Sequence, residues 1–296
     1  MGPSVAAFRP EESLTRQDLA QIVAGITQKE QVVAEPTRAV TMTELNSALV
    51  RAVGLAPAAA EVTAELRAEG LTPPGRAGWE TVARLLGLRF NHPANRDYRE
   101  LLPTDPATRA EAAYSVAQLL ETSDWDLERA HDQAASLDLP TLNEWQRRVL
   151  QRAVRFVGFP YVWGGMSETR QTLFGVTSRG GFDCSGFLWR VYRLEAWAGA
   201  PRLNSALRNR TAAGMAGEVA RSRRITKPRL QPGDVLFFGS RGARSKPAEV
   251  THAGIVLGGG WFVHSSRYGT TIAPFEGWYD TTFAWGRRPL AEAGLG

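Results

Sequence analysis

The chain has 296 residues, of which 43% are hydrophobic and 22% are charged, a composition typical of folded globular proteins. Its net charge of +5 and sequence pI near 9.7 favour polyanionic partners such as an anionic cell wall. The densest basic run, residues 221–230, contains no aromatic residue, which argues against nucleic-acid binding. A single cysteine excludes an internal disulfide and a cysteine-rich zinc site.

No apolar run approaches the roughly 18 residues that a membrane-spanning helix needs. The start of the chain also lacks the charged head and apolar core of an export signal. We therefore expect either a cytoplasmic protein or an exported one whose signal has been removed.

The N-terminal part contains a repeated start signal for a helix. The pattern Thr-x-x-Asp/Glu occurs at 15–18, 41–44 and 108–111, and each copy precedes a run with helical periodicity. It predicts a threonine N-cap and a carboxylate three residues later that reaches back to free backbone N–H groups. The second copy is the weakest, with Met42 where the other two carry arginine. We predict an all-α repeat domain over residues 1–120.

A polar and acidic stretch over 121–140 follows, and we expect a linker with a possible short helix. A further capping pattern, Thr141 with Glu144, predicts the helix that opens a C-terminal domain over 141–296. Helices come first in this domain and glycine-punctuated strands follow, which favours an α+β fold with an antiparallel sheet.

The only cysteine, Cys184, precedes apolar residues at 187, 188, 191 and 194. This spacing predicts a helix that starts at or just before the sulfur. Unpaired N–H groups and the helix dipole in its first turn would favour the thiolate. On this evidence alone a buried packing cysteine is the other interpretation, because free cysteines are often buried.

Two of the four histidines, His252 and His264, lie on one predicted β-hairpin. If the glycines at 258–260 form a three-residue loop, Leu257 pairs with Trp261 and both histidines project from one face. A two-residue loop would place them on opposite faces. The alternation of apolar residues favours the first register, with a core face made of Ala253, Ile255, Leu257, Trp261 and Val263.

A cysteine beside two histidines suits nucleophilic catalysis, in which one histidine acts as base and acid and a second polar group orients it. Two histidines on one strand face also suit part of a metal site, but a third ligand is absent nearby in the sequence. We therefore expect no metal and no other cofactor. His92 and His131 are interpreted as loop and linker residues without a role.

Four motifs occur in order: PYVWGG from 160, FDCSGFLWRVY from 182, LQPGDVLFF from 230 and THAGIVLGGGWFVHSS from 251. Together they resemble the NlpC-type cysteine peptidase family of bacterial cell-wall hydrolases, over roughly residues 141–290. The resemblance implies a papain-like fold, with the cysteine helix packed on an antiparallel sheet. It also implies hydrolysis of peptidoglycan stem peptides, commonly between D-glutamate and the following diamino acid.

The resemblance assigns roles to individual residues. Cys184 would be the nucleophile, His252 the general base and acid, and His264 the orienting third member. The backbone N–H of Cys184 would help to form the oxyanion hole. The substrate-binding residues that it implies are Tyr161, Trp163, Asp183 and Ser185, the last two at the free amino end of the stem peptide. Apolar packing of Tyr161 and helix capping by the Asp and Ser are the alternatives.

The N-terminal repeats resemble S-layer homology modules, in which a Thr-Arg-Ala-Glu motif at a helix start holds cell-wall polysaccharide. Only residues 108–111 spell the motif in full. A helical domain that packs against or shapes the catalytic cleft is an equal alternative. For the whole chain, the other functions are a cell-wall binding protein with an inactive peptidase-like domain and an amidase or acyltransferase with the same Cys-His pair. With a peptidoglycan substrate, we expect a secreted or wall-associated protein.

Overall fold

The structure, a computed structural model, describes residues 8–295. Its first half is helical, and its second half combines short helices with antiparallel strands. The helices of the first half are α1 (Arg16–Thr27), α2 (Met42–Ala52), α3 (Ala56–Ala68), α4 (Ala77–Leu85), α5 (Arg109–Glu121), α6 (Asp124–Ala135) and α7 (Glu144–Val154), with a 3-10 helix at Ala94–Arg99. Among the residues described, none of the helices is both long and apolar enough to span a membrane.

The three predicted helix starts are confirmed. Thr15, Thr41 and Thr108 are the N-caps of α1, α2 and α5, and each side chain accepts a hydrogen bond from the backbone N–H three residues later. Short antiparallel bridges join the segments around these caps. The three helix starts therefore lie side by side.

The carboxylates that follow these caps behave differently from one another. Asp18 and Glu44 complete reciprocal capping boxes, as the pattern predicts. The prediction is wrong for Glu111, which is buried, and burial raises the pKa of this carboxyl group. Its charge instead faces buried arginines, of which Arg89 has the largest effect on it. The local pattern cannot distinguish a capping carboxylate from one that tertiary contacts draw inward.

The stretch 121–140 contains more structure than a linker with a possible short helix. Helix α6 fills twelve of its residues and packs against α3. Ala130 and Ala134 are buried, and the backbone N–H of Leu139 donates to Glu65 of α3 at 2.7 Å. The polar composition that suggested a linker belongs to the solvent-facing side of this helix.

Helix α7 begins two residues later than the Thr141 pattern predicts. Asn143 is its N-cap, and Asn143 and Gln146 exchange hydrogen bonds at 2.9 Å. Leu142 is buried just outside the helix, and its backbone N–H donates to Glu69, the C-cap of α3, at 3.1 Å. This tertiary contact holds Leu142 outside the helix and sets the boundary.

The C-terminal half has the predicted mixture of helices and antiparallel strands. Its helices are α8 (Cys184–Tyr192), α9 (Pro201–Asn204), α10 (Ala212–Gly217), α11 (Trp278–Thr282) and α12 (Pro289–Glu292). Its strands are β1 (Met166–Ser167), β2 (Gln171–Leu173), β3 (Val176–Ser178), β4 (Gly181–Phe182), β5 (Val235–Gly239), β6 (Val250–Gly258), β7 (Trp261–Ser266), β8 (Gly269–Pro274) and β9 (Phe283–Arg287). The last five form one antiparallel sheet in the order β8-β7-β6-β5-β9, and α8 packs on β6 and β7.

The β6–β7 hairpin reaches the predicted register by a different route. Gly258, rather than Leu257, pairs with Trp261, so the turn has two residues instead of three. A shift in the pairing at Leu257 supplies the missing residue, and beyond it Ile255 pairs with Val263 as predicted. A bulge of one extra residue has the same effect on strand faces as a longer loop. The two histidines therefore remain on one face.

Both faces of this hairpin are covered. The apolar residues predicted to face the core are buried: Ala253, Ile255, Leu257, Trp261 and Val263. On the histidine face, Phe238, Phe262 and Phe275 belong to a second buried cluster, against which Tyr279 of α11 packs. The histidines therefore lie in apolar surroundings rather than on an open surface.

Hydrogen bonds join the two halves of the chain. Arg76, at the start of α4, donates to the carbonyl oxygens of Val157 at 2.7 Å and Arg155 at 2.8 Å, just after α7. Asp97, in the 3-10 helix, accepts the backbone N–H of Trp163 at 3.0 Å. These contacts hold the helical half against the segment that leads to the cysteine.

Candidate active site

Cys184 is the first residue of α8, as its apolar spacing predicts. Asp183 is the N-cap and accepts the backbone N–H of Gly186. The cysteine is 9% exposed, and its thiol donates to the carbonyl oxygen of Thr251 on β6 at 3.9 Å. Thr251 directly precedes His252. The sulfur therefore lies against the part of the sheet that carries the first histidine.

One arginine ties the loop before the cysteine to α8. Arg210 donates from Nη1 to Asp183 Oδ1 at 3.1 Å and to Ser185 Oγ at 2.8 Å. From Nη2 it donates to the carbonyl oxygens of Gly164 at 2.7 Å and Gly165 at 3.2 Å. A planar guanidinium presents several donors at fixed angles, which suits this junction. Asp183 and Ser185 thus take part in capping and in this network, and their contact with substrate stays a prediction.

Gly186 allows that loop to approach the helix closely. A Cβ at this position would lie 1.8 Å from the carbonyl oxygen of Gly165, so any other residue would force the two segments apart. The five residues FDCSG therefore contain the N-cap Asp183, the cysteine, and the glycine at which the loop approaches the helix.

The two histidines form a hydrogen-bonded line with a tyrosine. His252 Nε2 lies 2.8 Å from His264 Nδ1, and His264 Nε2 lies 3.4 Å from the hydroxyl of Tyr279. His264 is only 1% exposed. The other ring nitrogen of His252, Nδ1, makes no hydrogen bond to any residue between 8 and 295. The line therefore runs from His252 into the aromatic cluster.

Burial sets the protonation states of these groups. It raises the pKa of Cys184 to about 12, and the neighbouring Asp183 adds to the shift. It lowers the pKa of His252 to about 4, and the pKa of His264 lies well below its usual range for the same reason. The resting site therefore holds a neutral thiol and neutral imidazoles. Backbone N–H groups, including that of Ser185 in the first turn, lower the pKa of Cys184 as predicted, but desolvation outweighs them.

A cleft of about 600 Å³ opens beside His252. Its lining consists of Tyr161, Thr251, His252, Ser266, Arg267, Tyr268, Trp278 and Tyr279. A second cavity, of about 250 Å³, shares four of these residues and also contains His264. Its other wall comes from the helical half, through Arg84 and Arg129. The helical half therefore contributes to the walls around the histidines.

Tyr161 connects the cleft with the cysteine. Burial raises the pKa of Tyr161 above its usual range, and Cys184 and then Asp183 are the next contributors. Asp97 of the helical half also raises the pKa of Tyr161. Asp97 is 5% exposed, and burial raises its own pKa to about 6. Trp163, bonded to Asp97 through its backbone, is 56% exposed, and its contact with substrate stays a prediction.

In the described part of the chain, no group of three or more His, Cys, Asp or Glu residues is arranged to hold a metal ion. His92 and His131 lie in the helical half. His92 contacts Glu100 at 3.1 Å, and His131 is exposed on α6 beside Asp132. Neither is among the residues that line the cleft.

Three residues at the site carry no sequence signal that sets them apart. Arg210 directly precedes Thr211, the N-cap of α10, and this cap is the only local cue beside it. Asp97 is 66 residues from its partner Trp163, and Tyr279 reaches His264 only through the packing of α11 on the sheet. Their partners depend on contacts between distant segments, which a local pattern cannot record.

Comparison with known proteins places residues 158–288 in the NlpC/P60 family. A probable endopeptidase of Mycobacterium tuberculosis is 35% identical over 42% of this chain and 24% of its own length. A gamma-D-glutamyl-L-lysine dipeptidyl-peptidase of Bacillus subtilis is 28% identical over 42% of this chain and 33% of its own. The probable peptidoglycan endopeptidase LytE of Bacillus subtilis is 30% identical over 45% and 30%.

The chain thus spans about a quarter to a third of the length of these relatives. Among solved structures, an NlpC/P60 family protein from Bacillus cereus ATCC 10987 is 25% identical, with a TM-score of 0.37. That match covers 52% of this chain and 43% of the other. The family match over residues 158–288 confirms, at the level of the family, the resemblance of the C-terminal motifs.

Proposed function

We propose that this chain is a cysteine endopeptidase that hydrolyses peptidoglycan stem peptides at the cell wall, because its residues 158–288 match the NlpC/P60 family. The observation that carries the proposal is Cys184, at the first position of α8 and against the strand that bears His252. We propose the D-glutamyl–diamino acid bond as the target, since one relative is named a gamma-D-glutamyl-L-lysine dipeptidyl-peptidase. The papain-like arrangement of helix and sheet is part of this proposal.

In the first step, Cys184 Sγ attacks the D-glutamyl carbonyl carbon, and the thiol proton passes to His252 Nδ1. Because the thiol and the imidazole are both neutral at rest, we infer that proton transfer accompanies the attack rather than preceding it. The backbone N–H of Cys184, at the start of α8, stabilises the oxyanion that forms.

This role requires one tautomer of the histidine line. His252 must carry its proton on Nε2 and donate it to His264 Nδ1, which leaves Nδ1 of His252 as the base. His264 then carries its own proton on Nε2, facing the oxygen of Tyr279 at 3.4 Å. Burial raises the pKa of Tyr279 to about 12, so its hydroxyl stays neutral and accepts without adding charge.

In the second half of the reaction, the His252 imidazolium returns its proton to the departing amine of the diamino acid. The acyl group is then a thioester on Cys184. Water attacks this thioester as His252 Nδ1 takes its proton, and the thiolate leaves and is reprotonated. Hydrolysis therefore restores both groups to their neutral state, and no cofactor is consumed.

The other end of the substrate has a positively charged amino group if the stem peptide is unblocked. Asp97 and Asp183 both influence Tyr161, which lines the cleft. We propose that these carboxylates and Tyr161 recognise that amino group, because an ammonium favours buried acceptors of opposite charge. The helical half then contributes Asp97 to specificity. This makes it part of the substrate site, whether or not it also binds glycan.

Glycan binding by the helical half stays a separate prediction, based on its resemblance to S-layer homology modules. The arginines at two of its helix starts are paired inside the protein, Arg16 with Glu35 at 2.8 Å and Arg109 with Asp18 at 3.1 Å. An anionic sugar substituent would have to compete with these carboxylates. Sedimentation of the isolated helical half with cell walls, if it folds alone, would test this prediction.

The proposed activity is tested by incubation of the protein with purified muropeptides, followed by mass spectrometry of the products. We expect new products whose masses correspond to cleavage after D-glutamate. Cys184→Ala and His252→Ala should abolish them, whereas His131→Ala, a matched change at an exposed histidine, should cleave at the wild-type rate.

Each alternative has its own outcome in this experiment. Intact muropeptides after incubation with the wild-type protein, together with sedimentation on cell walls, would indicate an inactive binding domain. Products cut at another bond, or carrying a transferred acyl group, would indicate an amidase or an acyltransferase. Equal cleavage by the Cys184→Ala variant would refute a cysteine mechanism.

A further inference from the structure

Positive charge is concentrated in one stretch of the chain. Residues 201–250 contain eleven Lys and Arg and three Asp and Glu, a net charge of +8. The whole chain carries +5, so all other residues together are net negative, at −3. The basic character of this protein therefore belongs to one part of its C-terminal half, which can attract a polyanion locally.

A surface depression of about 460 Å³ collects several of these arginines. Its lining consists of Arg202, Ser205, Ala206, Arg208, Glu218, Val219, Ala220, Arg223, Arg287 and Glu292. We call this set the basic depression. It shares no residue with the cleft beside His252, so it is a separate site.

The charges in the basic depression do not cancel. Glu218 and Glu292 are both paired with the buried Arg287, at 2.7 Å and 2.9 Å. Arg202, Arg208 and Arg223 are exposed residues. None of the three is paired with a carboxylate among residues 8–295. Because these two glutamates share one arginine, the six charged residues of the lining sum to +2, and the excess positive charge lies on three arginines around one concave surface.

The chemistry of the lining identifies the kind of ligand. Guanidinium groups bind phosphate oxygens through paired N–H donors, and a flexible chain can bring several phosphates to three arginines in turn. The lining contains no aromatic side chain, whereas proteins that hold single-stranded nucleic acid stack its bases on aromatic rings. The depression therefore fits a phosphate polymer without bases.

We propose that the basic depression binds a flexible polyol-phosphate polymer of the cell wall. The identity of the polymer as a wall component rests on the proposed function, but its binding does not require catalysis. Contact through the basic depression would hold the enzyme on the wall. The cleft beside His252 shares no residue with the depression and would stay open to stem peptides.

The test uses synthetic poly(glycerol phosphate) and the full chain with Cys184→Ala, so that no turnover interferes. Equilibrium binding is measured between 50 and 200 mM salt. If the depression neutralises three phosphates, the logarithm of affinity should fall with the logarithm of salt with a slope of about −2, a loss of roughly 20-fold over this range. The triple change R202Q/R208Q/R223Q should weaken binding at 50 mM salt at least tenfold and remove most of this slope.

A matched variant, R67Q/R96Q/R170Q, removes the same charge from exposed arginines outside the depression and should lose less than threefold. Circular dichroism checks that both variants are folded. Equal losses in the two variants would overturn the proposal, as would tighter binding of DNA with the same number of phosphates. Soluble muropeptides should be cleaved equally by wild type and R202Q/R208Q/R223Q. Cleavage without polymer binding refutes this proposal alone, and binding without cleavage refutes only the peptidase.

Discussion

Removal of the Arg210 guanidinium should weaken the junction that supports the cysteine. In the structure it makes four hydrogen bonds, to Asp183 Oδ1, to Ser185 Oγ and to the carbonyl oxygens of Gly164 and Gly165. Arg210→Ala would leave these acceptors without that donor. The carboxylate of Asp183 would keep its bonds to backbone N–H groups but lose its cationic partner.

The size of this effect follows from the exposure of the pair. Hydrogen bonds to charged groups contribute about 1.5–3 kcal/mol each when buried, but the Arg210 side chain is 29% exposed, so solvent replaces part of them. We expect a loss of about 2–3 kcal/mol in the free energy of unfolding. For a chain of this size that corresponds to a fall in Tm of roughly 3–5 °C. Arg210→Lys should lose about half as much, since an ammonium cannot reach all four acceptors.

Thermal unfolding followed by circular dichroism measures this difference. Arg208→Ala is the matched control, because Arg208 is exposed and has no ion pair among the described residues, and it should shift stability by no more than about 0.5 kcal/mol. The rate of hydrolysis by the Arg210→Ala variant should fall by more than its loss of folded protein explains, since the loop beside Cys184 loses the Arg210 hydrogen bonds. Equal Tm values for the Arg210→Ala and Arg208→Ala variants would refute the reasoning.

Three further outcomes are expected. With a pKa of about 12, Cys184 should react with iodoacetamide at pH 7.5 about a thousandfold more slowly than a cysteine with the ordinary pKa of 9.0. The rate of this reaction should rise about tenfold per pH unit up to pH 10. A rate independent of pH from 6 to 9 would show a resting thiolate. Gly186→Ala should lower the free energy of unfolding by more than about 3 kcal/mol or prevent folding, because its Cβ would meet the carbonyl oxygen of Gly165. Gly25→Ala, in open space on α1, should instead raise it by about 0.5–1 kcal/mol. Denaturant titration compares the two variants. The folded-state pKa of Asp97, about 6, lies above its unfolded value, so the contribution of this residue to stability should rise as pH falls from about 6 to 4. Asp97→Asn should therefore be more stable than wild type at pH 7.5 by about 1–2 kcal/mol, and the difference should shrink towards pH 4. Urea titrations that show the same pH dependence in both proteins would contradict this.

The helix that carries Cys184 and the caps at Thr15 and Thr41 could be predicted because their causes are local. Apolar spacing, a capping side chain and its partner three residues later all lie within one or two helical turns. Deviations occurred where a distant segment intervened. A hydrogen bond to Glu69 at the end of α3 holds Leu142 outside α7, and buried arginines draw Glu111 away from its cap.

The hairpin shows how a correct conclusion can rest on an incorrect detail. The alternation of apolar residues required both histidines on one face, and burial enforces that requirement in the fold. The loop length was wrong, but the bulge at Leu257 compensates for the shorter turn. Which face of a strand is buried is therefore easier to predict than the length of the turn that follows it. Several apolar residues together favour the same buried face, whereas a single bulge changes the length of the turn.

The amino-acid sequence predicts the family of the C-terminal half, the position of Cys184 at a helix start and the shared face of His252 and His264. These features depend on residue types and short spacings, which the chain carries wherever it folds. Other features of the site depend on how distant segments pack. The tertiary structure brings Arg210 to Asp183 across 27 residues and brings Asp97 beside Trp163 across 66. It also makes the resting thiol neutral, because desolvation depends on every segment packed around the sulfur rather than on its neighbours in the chain.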